Sequence, residues 1–512
     1  KNLKDNKCKN VQVFKKALSK KAGKTALFEG YTPGENTLIG NKAGKNLEMI
    51  DTVRYDDLSI EVPNMIKIDV EGAEKMVLEG MSKLLKTKKE IILIIEDWEN
   101  KNIDWLVKNY GFEVITTDRA FGNYILVKNK KMKSTVEPLR CHLLGTFNTP
   151  VNKKPFALSN AFASKVGRMA QILKRLGYYV IFYGVEGSEV ECDEFVQISD
   201  MATIEKAYGK WNGKTALGSK YGDIAYTTFN KNAIVEIEKR KRVGDFLLLC
   251  HGTYQKEIAD AVKIHNTVEI GIGYPSSFAR FRIFESYFQM HTAYATEKKG
   301  DGVWYDCVIP GYFDQNDFEY SKKKDDYFLY LGRVIHRKGI RIAQQVIDKI
   351  GAKLIVAGLR GIGVDSNVDL SSPNIEYVGL ADFEKRKELI SKAKAVFMPT
   401  IYLEPFGYVA IEAMMSGTPV ITTDWGAFPE TIQHGKTGYR CKTFEQFVWA
   451  AKNIDKIKPK DCRKWAMNNY SLEKATQMYQ EYFNQILWLN GKGWYSENSN
   501  RKNLDSLNKI YA

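Results

Sequence analysis

The sequence predicts an α/β fold of parallel, doubly wound sheets, in three successive blocks. Three observations predict it. Short apolar runs rich in Val, Ile, Leu and Phe alternate along the chain with segments of helical period. Gly, Pro and lysine-rich stretches punctuate those alternations where turns and linkers belong. The 512 residues, 44% hydrophobic and 27% charged, have the composition of a globular chain of about three domains.

The first block, 1–131, holds the strand-like runs Val11-Gln-Val-Phe14, Met65-Ile-Lys-Ile-Asp69, Ile91-Ile-Leu-Ile-Ile95 and Tyr124-Ile-Leu-Val127. A lysine-rich stretch, Lys128–Ser134, closes it, and 132–138 is a linker. The second block, 139–315, opens on Leu139-Arg-Cys-His-Leu-Leu-Gly145 and continues through a helical segment ending at Leu176-Gly177. Strands Tyr179–Tyr183, Phe246–Cys250 and Cys307–Ile309 follow. The third block, 316–475, alternates cleanly. Strand Tyr327–Leu331 precedes helix Gly339–Ile350, strand Lys353–Ala357, strand Ile375–Val378, helix Asp382–Ala393, strand Ala395–Met398 and strand Val420–Thr423. A last helix over roughly Leu472–Leu489 is rich in aromatics (Tyr479, Tyr482, Phe483, Trp488), with 476–490 as its terminal segment and 491–512 as a polar tail. Ligands of such sheets bind beyond the carboxyl ends of the strands.

A net charge of +15 favours anionic partners. The lysines are dispersed, in Lys20-Lys-Ala-Gly-Lys24 and Lys322-Lys-Lys324 for example, as on a solvated face, and nucleic acid is not expected. Seven widely spaced cysteines without a CxxC pair read as core residues of a reducing compartment. No apolar run approaches the roughly 18–20 residues of a membrane span. The expected location is the cytoplasm, and peripheral attachment to an anionic membrane is compatible with the charge.

Two stretches concentrate the chemistry. Glu404-Pro-Phe-Gly-Tyr-Val-Ala-Ile-Glu412 follows a strand, enters a helix and leads to a glycine-closed helix end at Gly417-Thr-Pro419. Unpaired N–H groups at the helix start, over Phe406, Gly407, Tyr408 and Val409, suit a diphosphate. Gly332-Arg333-Val-Ile-His-Arg-Lys338-Gly339 brackets another strand-to-helix turn, where a guanidinium and an ammonium can straddle the same group. His251 ends the strand Phe246–Cys250 at a third carboxyl end; His265, His291 and His434 lack such a context.

Together with Pro429-Glu430 downstream, these residues resemble the Glu-x7-Glu signature of retaining glycosyltransferases of family 4. The resemblance covers about Leu139 to Leu489 and implies a GT-B architecture: two Rossmann-like domains, 139–315 and 316–475, with the active site in the cleft and a terminal helix returning to the first. It implies that Arg333 and Lys338 neutralise the leaving diphosphate, that Glu412 holds the ribose, and that Glu404 and His251 lie at the donor sugar. Asn374-Ile-Glu-Tyr-Val378-Gly379 is similar to the segment facing the nucleobase, which puts Val378 in the donor site. The implied donor is a UDP- or GDP-linked sugar, and the implied acceptor a glycan or lipid-linked molecule. Retention would proceed by front-face departure, without a protein nucleophile. The chain departs from the pattern after its first strand, where Thr146–Lys154 replaces a glycine-rich loop. It has no Asp-x-Asp, so no metal is expected.

In the first block, Asp69-Val-Glu71-Gly72-Ala-Glu74 is similar to a motif of FkbM-type methyltransferases. That resemblance implies a partial Rossmann-like domain, using S-adenosylmethionine only if a missing N-terminal half completes it. Two rival readings follow: a sugar O-methyltransferase with a GT-B scaffold, or a non-catalytic nucleotide- or glycan-binding module.

Overall fold

A computed structural model describes residues 12–28, 46–70, 72–88, 90–96, 101–118, 123–128, 138–151, 161–211, 217–361 and 367–489. They fall into two compact units divided at Pro138.

The first unit contains two sheets. One orders β1 (Ala17–Leu18), β3 (Asn46–Val53) and β2 (Gly23–Phe28) as β1-β3-β2; the other orders β4 (Met65–Ile68), β5 (Ile91–Glu96), β7 (Asn123–Lys128) and β6 (Glu113–Asp118) as β4-β5-β7-β6. The predicted strand Val11–Phe14 does not form. Val11 lies outside the described residues, and Gln12, Val13 and Phe14 are exposed and in no strand. Nor are these sheets wholly parallel. β2 pairs antiparallel with β3, and β7 antiparallel with both β5 and β6. β6 and β7 are separated by four residues, too few for the crossover that parallel pairing needs. Leu93, Ile95 and Leu126 form the centre of a core under the second sheet, with Leu78 and Leu106 from the helices Glu74–Gly80 and Lys101–Tyr110.

The second unit holds two parallel sheets. The first contains β8 (Arg140–Leu144), β9 (Tyr179–Val185), β10 (Glu194–Ser199), β11 (Phe246–Leu249), β12 (Asn266–Ile272), β13 (Phe281–Phe284) and β14 (Asp306–Val308), in the order β10-β9-β8-β11-β12-β13-β14. The second contains β15 (Phe328–Leu331), β16 (Leu354–Ala357), β17 (Ile375–Gly379), β18 (Ala395–Met398), β19 (Val420–Thr423) and β20 (Gly438–Cys441), in the order β17-β16-β15-β18-β19-β20. Strand order reverses between β8 and β11 and again between β15 and β18, so each sheet opens a crevice there at its carboxyl end.

Burial explains why these strands were easy to read. β11, β15, β16, β18 and β19 are buried at every residue, as strands covered on both faces must be, and so appear as unbroken apolar runs. The helix Leu472–Leu489 sends Leu472, Tyr479, Phe483 and Ile486 into the core of the first sheet, so the end of the described chain returns to that domain. Among the described residues no helix is long and apolar enough to cross a membrane. Six of the cysteines fall there, all free; Cys8 lies outside.

Candidate active site

The two reversal points of the second unit supply the candidate site. After β15 the chain passes Gly332 and Arg333, makes a tight turn over His336–Lys338 and enters the helix Ile340–Ile350 through Gly339, whose φ is +78°. After β18 it makes the turn that carries Tyr402 and Glu404. Ala427 N donates to Glu404 O at 2.9 Å and Ile401 N to Arg337 O at 2.9 Å, so both loops are tied by backbone.

These ties bring Lys338 against Glu404. Its ammonium lies 3.0 Å from Oε2, and the Tyr402 hydroxyl bonds to both groups. Burial, and then the Glu404 charge, push the Tyr402 phenol far above its usual range, so it remains a proton donor to the carboxylate. Arg333 is exposed and makes no ion pair among the described residues, which leaves its fork available. The glutamate helix starts at Tyr408 rather than Phe406. Gly407 is its N-cap, at φ +88° and with no side-chain cap; Ala410 N donates to Gly407 O at 2.9 Å, and the N–H groups of Tyr408 and Val409 keep their bonding capacity. Phe406 is a core residue instead, buried against Tyr408 and Tyr470.

A cavity of about 550 Å³ opens between these elements, within the range of small-molecule sites. Arg333, Lys338, Tyr408, Val409 and Glu412 line it, and Leu359, Leu380 and Ala381 form an apolar wall. Val378 packs against the core, and Leu380 and Ala381, two and three residues on, take the wall position expected of it. Glu404, Phe406, Gly407 and His251 are not on the cavity wall; Glu404 stands behind it through Lys338.

Sequence reasoning missed Arg386. From the helix Phe383–Lys392 its Nε donates to Glu412 Oε2 at 3.0 Å, and Nη2 meets the same oxygen. It sits in the charged run Glu384–Glu388, which reads as a solvated face. Also missed was the joint between the two domains. Glu285, just beyond β13, takes Lys165 Nζ at 2.6 Å and the Tyr408 hydroxyl. Ser286 Oγ donates to Pro405 O at 2.6 Å, and the Glu430 carboxylate accepts Tyr287 N at 2.8 Å and Phe288 N at 2.7 Å. A charged residue directly after a strand was the available signal for Glu285.

His251 belongs to the facing sheet, two residues past the end of β11. Gln255 pins that end, accepting from Cys250 N and His251 N and donating to Gly145 O beyond β8. The imidazole is 7% exposed, stacked on Phe147 and close to Phe162 and Tyr254. Its Nδ1 is buried without a partner among the described residues. Burial first, and the Lys165 charge second, push it down to about 4 from 6.5. His251 is therefore neutral near neutral pH. The unfolded chain binds this proton more readily, so the contribution is complete above about pH 6.5 and is lost as pH falls toward 4. The loss amounts to about 3 kcal/mol. His251→Gln is expected to flatten the fall in chemical-denaturation stability between those pH values; an unchanged profile would show that the imidazole is not held neutral.

In the first unit the acidic motif serves local structure. Glu74 Oε1 accepts Gly72 N at 2.9 Å at the start of its own helix, and Asp69 pairs with Lys67 at 2.7 Å. Glu71 lies outside the described residues. So do 152–154 of the loop that departs from the pattern; in the part described, Thr146 Oγ1 closes a buried turn on Thr149 O at 2.9 Å. Among the described residues, no three His, Cys, Asp or Glu side chains gather as a metal site would require.

Comparison with known proteins agrees with this architecture. Residues 313–471 match the family described as Glycosyl transferases group 1, and residues 44–179 match the Methyltransferase FkbM domain. The second match runs past Pro138 into the first parallel sheet. An uncharacterized glycosyltransferase of Methanocaldococcus jannaschii is 30% identical over 201 residues, 35% of this chain and 50% of that protein. A glycogen synthase of Mycobacterium tuberculosis is 32% identical over 123 residues, 22% of this chain and 29% of that protein. The chain thus spans half or less of the length of these curated relatives. A sucrose-phosphate synthase from Thermosynechococcus elongatus superposes with a TM-score of 0.53 at 16% identity, over 68% of this chain and 99% of that one. At that identity the likeness is one of fold, and the fold is GT-B.

Proposed function

We propose that residues 138–489 transfer a sugar, with retention, from a nucleoside-diphosphate donor to a glycan or lipid-linked acceptor, in the manner of family 4. One observation carries the reading: Arg333, Lys338, an uncapped helix start and Glu412 converge on one cavity at a strand-order reversal. As the anomeric C–O bond breaks, negative charge grows on the departing phosphate oxygens. Fixed cations and helix N–H groups stabilise that charge more than they stabilise the bound donor. The leaving phosphate would take the acceptor proton. Glu404, held by Lys338 and Tyr402 just behind the cavity wall, is read as an acceptor for a sugar hydroxyl rather than as a nucleophile. The cations carry the charge that a metal carries in other transferases, and no metal is called for in this scheme.

The first unit is proposed as a methyltransferase-like domain. The rival in which only that part is catalytic leaves the cavity and its cations without a role. Calorimetric titration with UDP, GDP and S-adenosylmethionine separates the readings: a nucleoside diphosphate is expected to bind, and binding of S-adenosylmethionine alone would overturn the proposal. Nucleotide release across UDP-, GDP- and ADP-sugars then identifies the donor.

A further inference from the structure

We infer that Arg386 is a positioning residue for the donor's ribose, acting through Glu412. The inference rests on the reading of Glu412 as the ribose-binding carboxylate. Two nitrogens of the guanidinium, Nε at 3.0 Å and Nη2, grip the same oxygen, Oε2. Oε1 keeps no partner among the described residues, and both side chains line the cavity. The grip therefore fixes the carboxylate plane while leaving one oxygen to accept a ribose hydroxyl.

Two physical reasons give this arrangement a use. Glu has three side-chain torsions, and holding them before the donor arrives removes an ordering cost from binding. A bare carboxylate would also repel a donor that carries a dianionic diphosphate. Arg386 cancels that charge where the side chains are only 22% and 11% exposed. The helix bearing Arg386 is anchored by Leu389 and Ile390 in the core, with Asp382 as its N-cap, so the guanidinium is delivered from a fixed backbone.

The test is titration of the whole chain with UDP and GDP and with their 2′,3′-dideoxy counterparts. Wild type, Arg386→Leu and Arg386→Lys are compared, and thermal melts report folding. Wild type is expected to prefer the ribonucleotide. Arg386→Leu should weaken ribonucleotide binding by about tenfold more than it weakens dideoxy binding, the scale of a hydrogen bond to a charged group, while the loss common to both ligands reads the uncancelled Glu412 charge. Arg386→Lys, keeping the charge without the fork, should restore part of the preference. Equal loss of both ligands, or an undiminished preference in both variants, would overturn the inference while leaving the donor site standing. If wild type binds no nucleoside diphosphate, the donor-site reading falls first and this inference with it.

Discussion

Lys338→Ala is expected to cut sugar transfer by about 10²–10³-fold, the scale of removing one preorganised group aimed at developing charge. The ammonium lies beside the cavity and is held by Glu404 at 3.0 Å and by Tyr402, so it does not have to be repositioned as the diphosphate leaves. Its contribution belongs to the transition state, and the loss should appear mainly in kcat. Stability is a competing effect. The variant leaves Glu404 without its cation, at a cost of about 1–3 kcal/mol for an unsatisfied group in a semi-buried site. Tyr402 still donates to the carboxylate, which keeps the cost near the lower end. Glu412→Ala provides the contrast. Ribose contacts are the same before and during transfer, so that variant should raise the donor KM more than it lowers kcat. Steady-state kinetics beside a thermal melt separate the three effects. A Lys338→Ala enzyme that stays folded and keeps its kcat would remove Lys338 from the catalytic group.

What the sequence made legible follows from burial. β15, β16, β18 and β19 are covered on both faces, so their side chains are apolar at every position and the runs stand out. β2 and β3 mix exposed and half-buried positions in polar stretches, and such strands leave a weak pattern. Arg333, Lys338, Glu404 and Glu412 stand out in the sequence because they follow strand ends or lie just over one turn inside the helix after one, in the spacing that resembles the Glu-x7-Glu signature. Arg386 and Glu285 were not found. Their meaning depends on partners 26 residues away for Arg386 and 123 for Glu285, and no local spacing encodes such pairings. His251 was located by its strand end, but its neutrality was not legible, because it arises from Phe147, Phe162 and Tyr254 closing around the ring.

Gly339→Ala is expected to abolish stable folding of the third block, at a cost above about 4 kcal/mol, the range kept for severe packing or backbone conflicts. Gly339 has φ +78°, and a Cβ there would lie 1.8 Å from Pro399 O and 2.5 Å from Pro399 C. The obstacle is backbone at the end of β18, so no side chain can rotate out of the way. Either the cation turn or the glutamate turn would have to move, and the Lys338–Glu404 pair with it. Gly351 provides the internal reference. It too is left-handed, at φ +65°, but a Cβ there meets nothing within 4 Å. Gly351→Ala should therefore cost only the left-handed penalty, about 1–2 kcal/mol. Chemical denaturation of the two variants subtracts that common penalty and leaves the close approach. Equal destabilisation would mean that the approach can relax freely, and that Gly339 is not what lets the two charged turns meet. A large difference locates the constraint at the point where the chain carrying Lys338 passes closest to the backbone after β18, so that the fold and the proposed diphosphate site depend on the same missing Cβ.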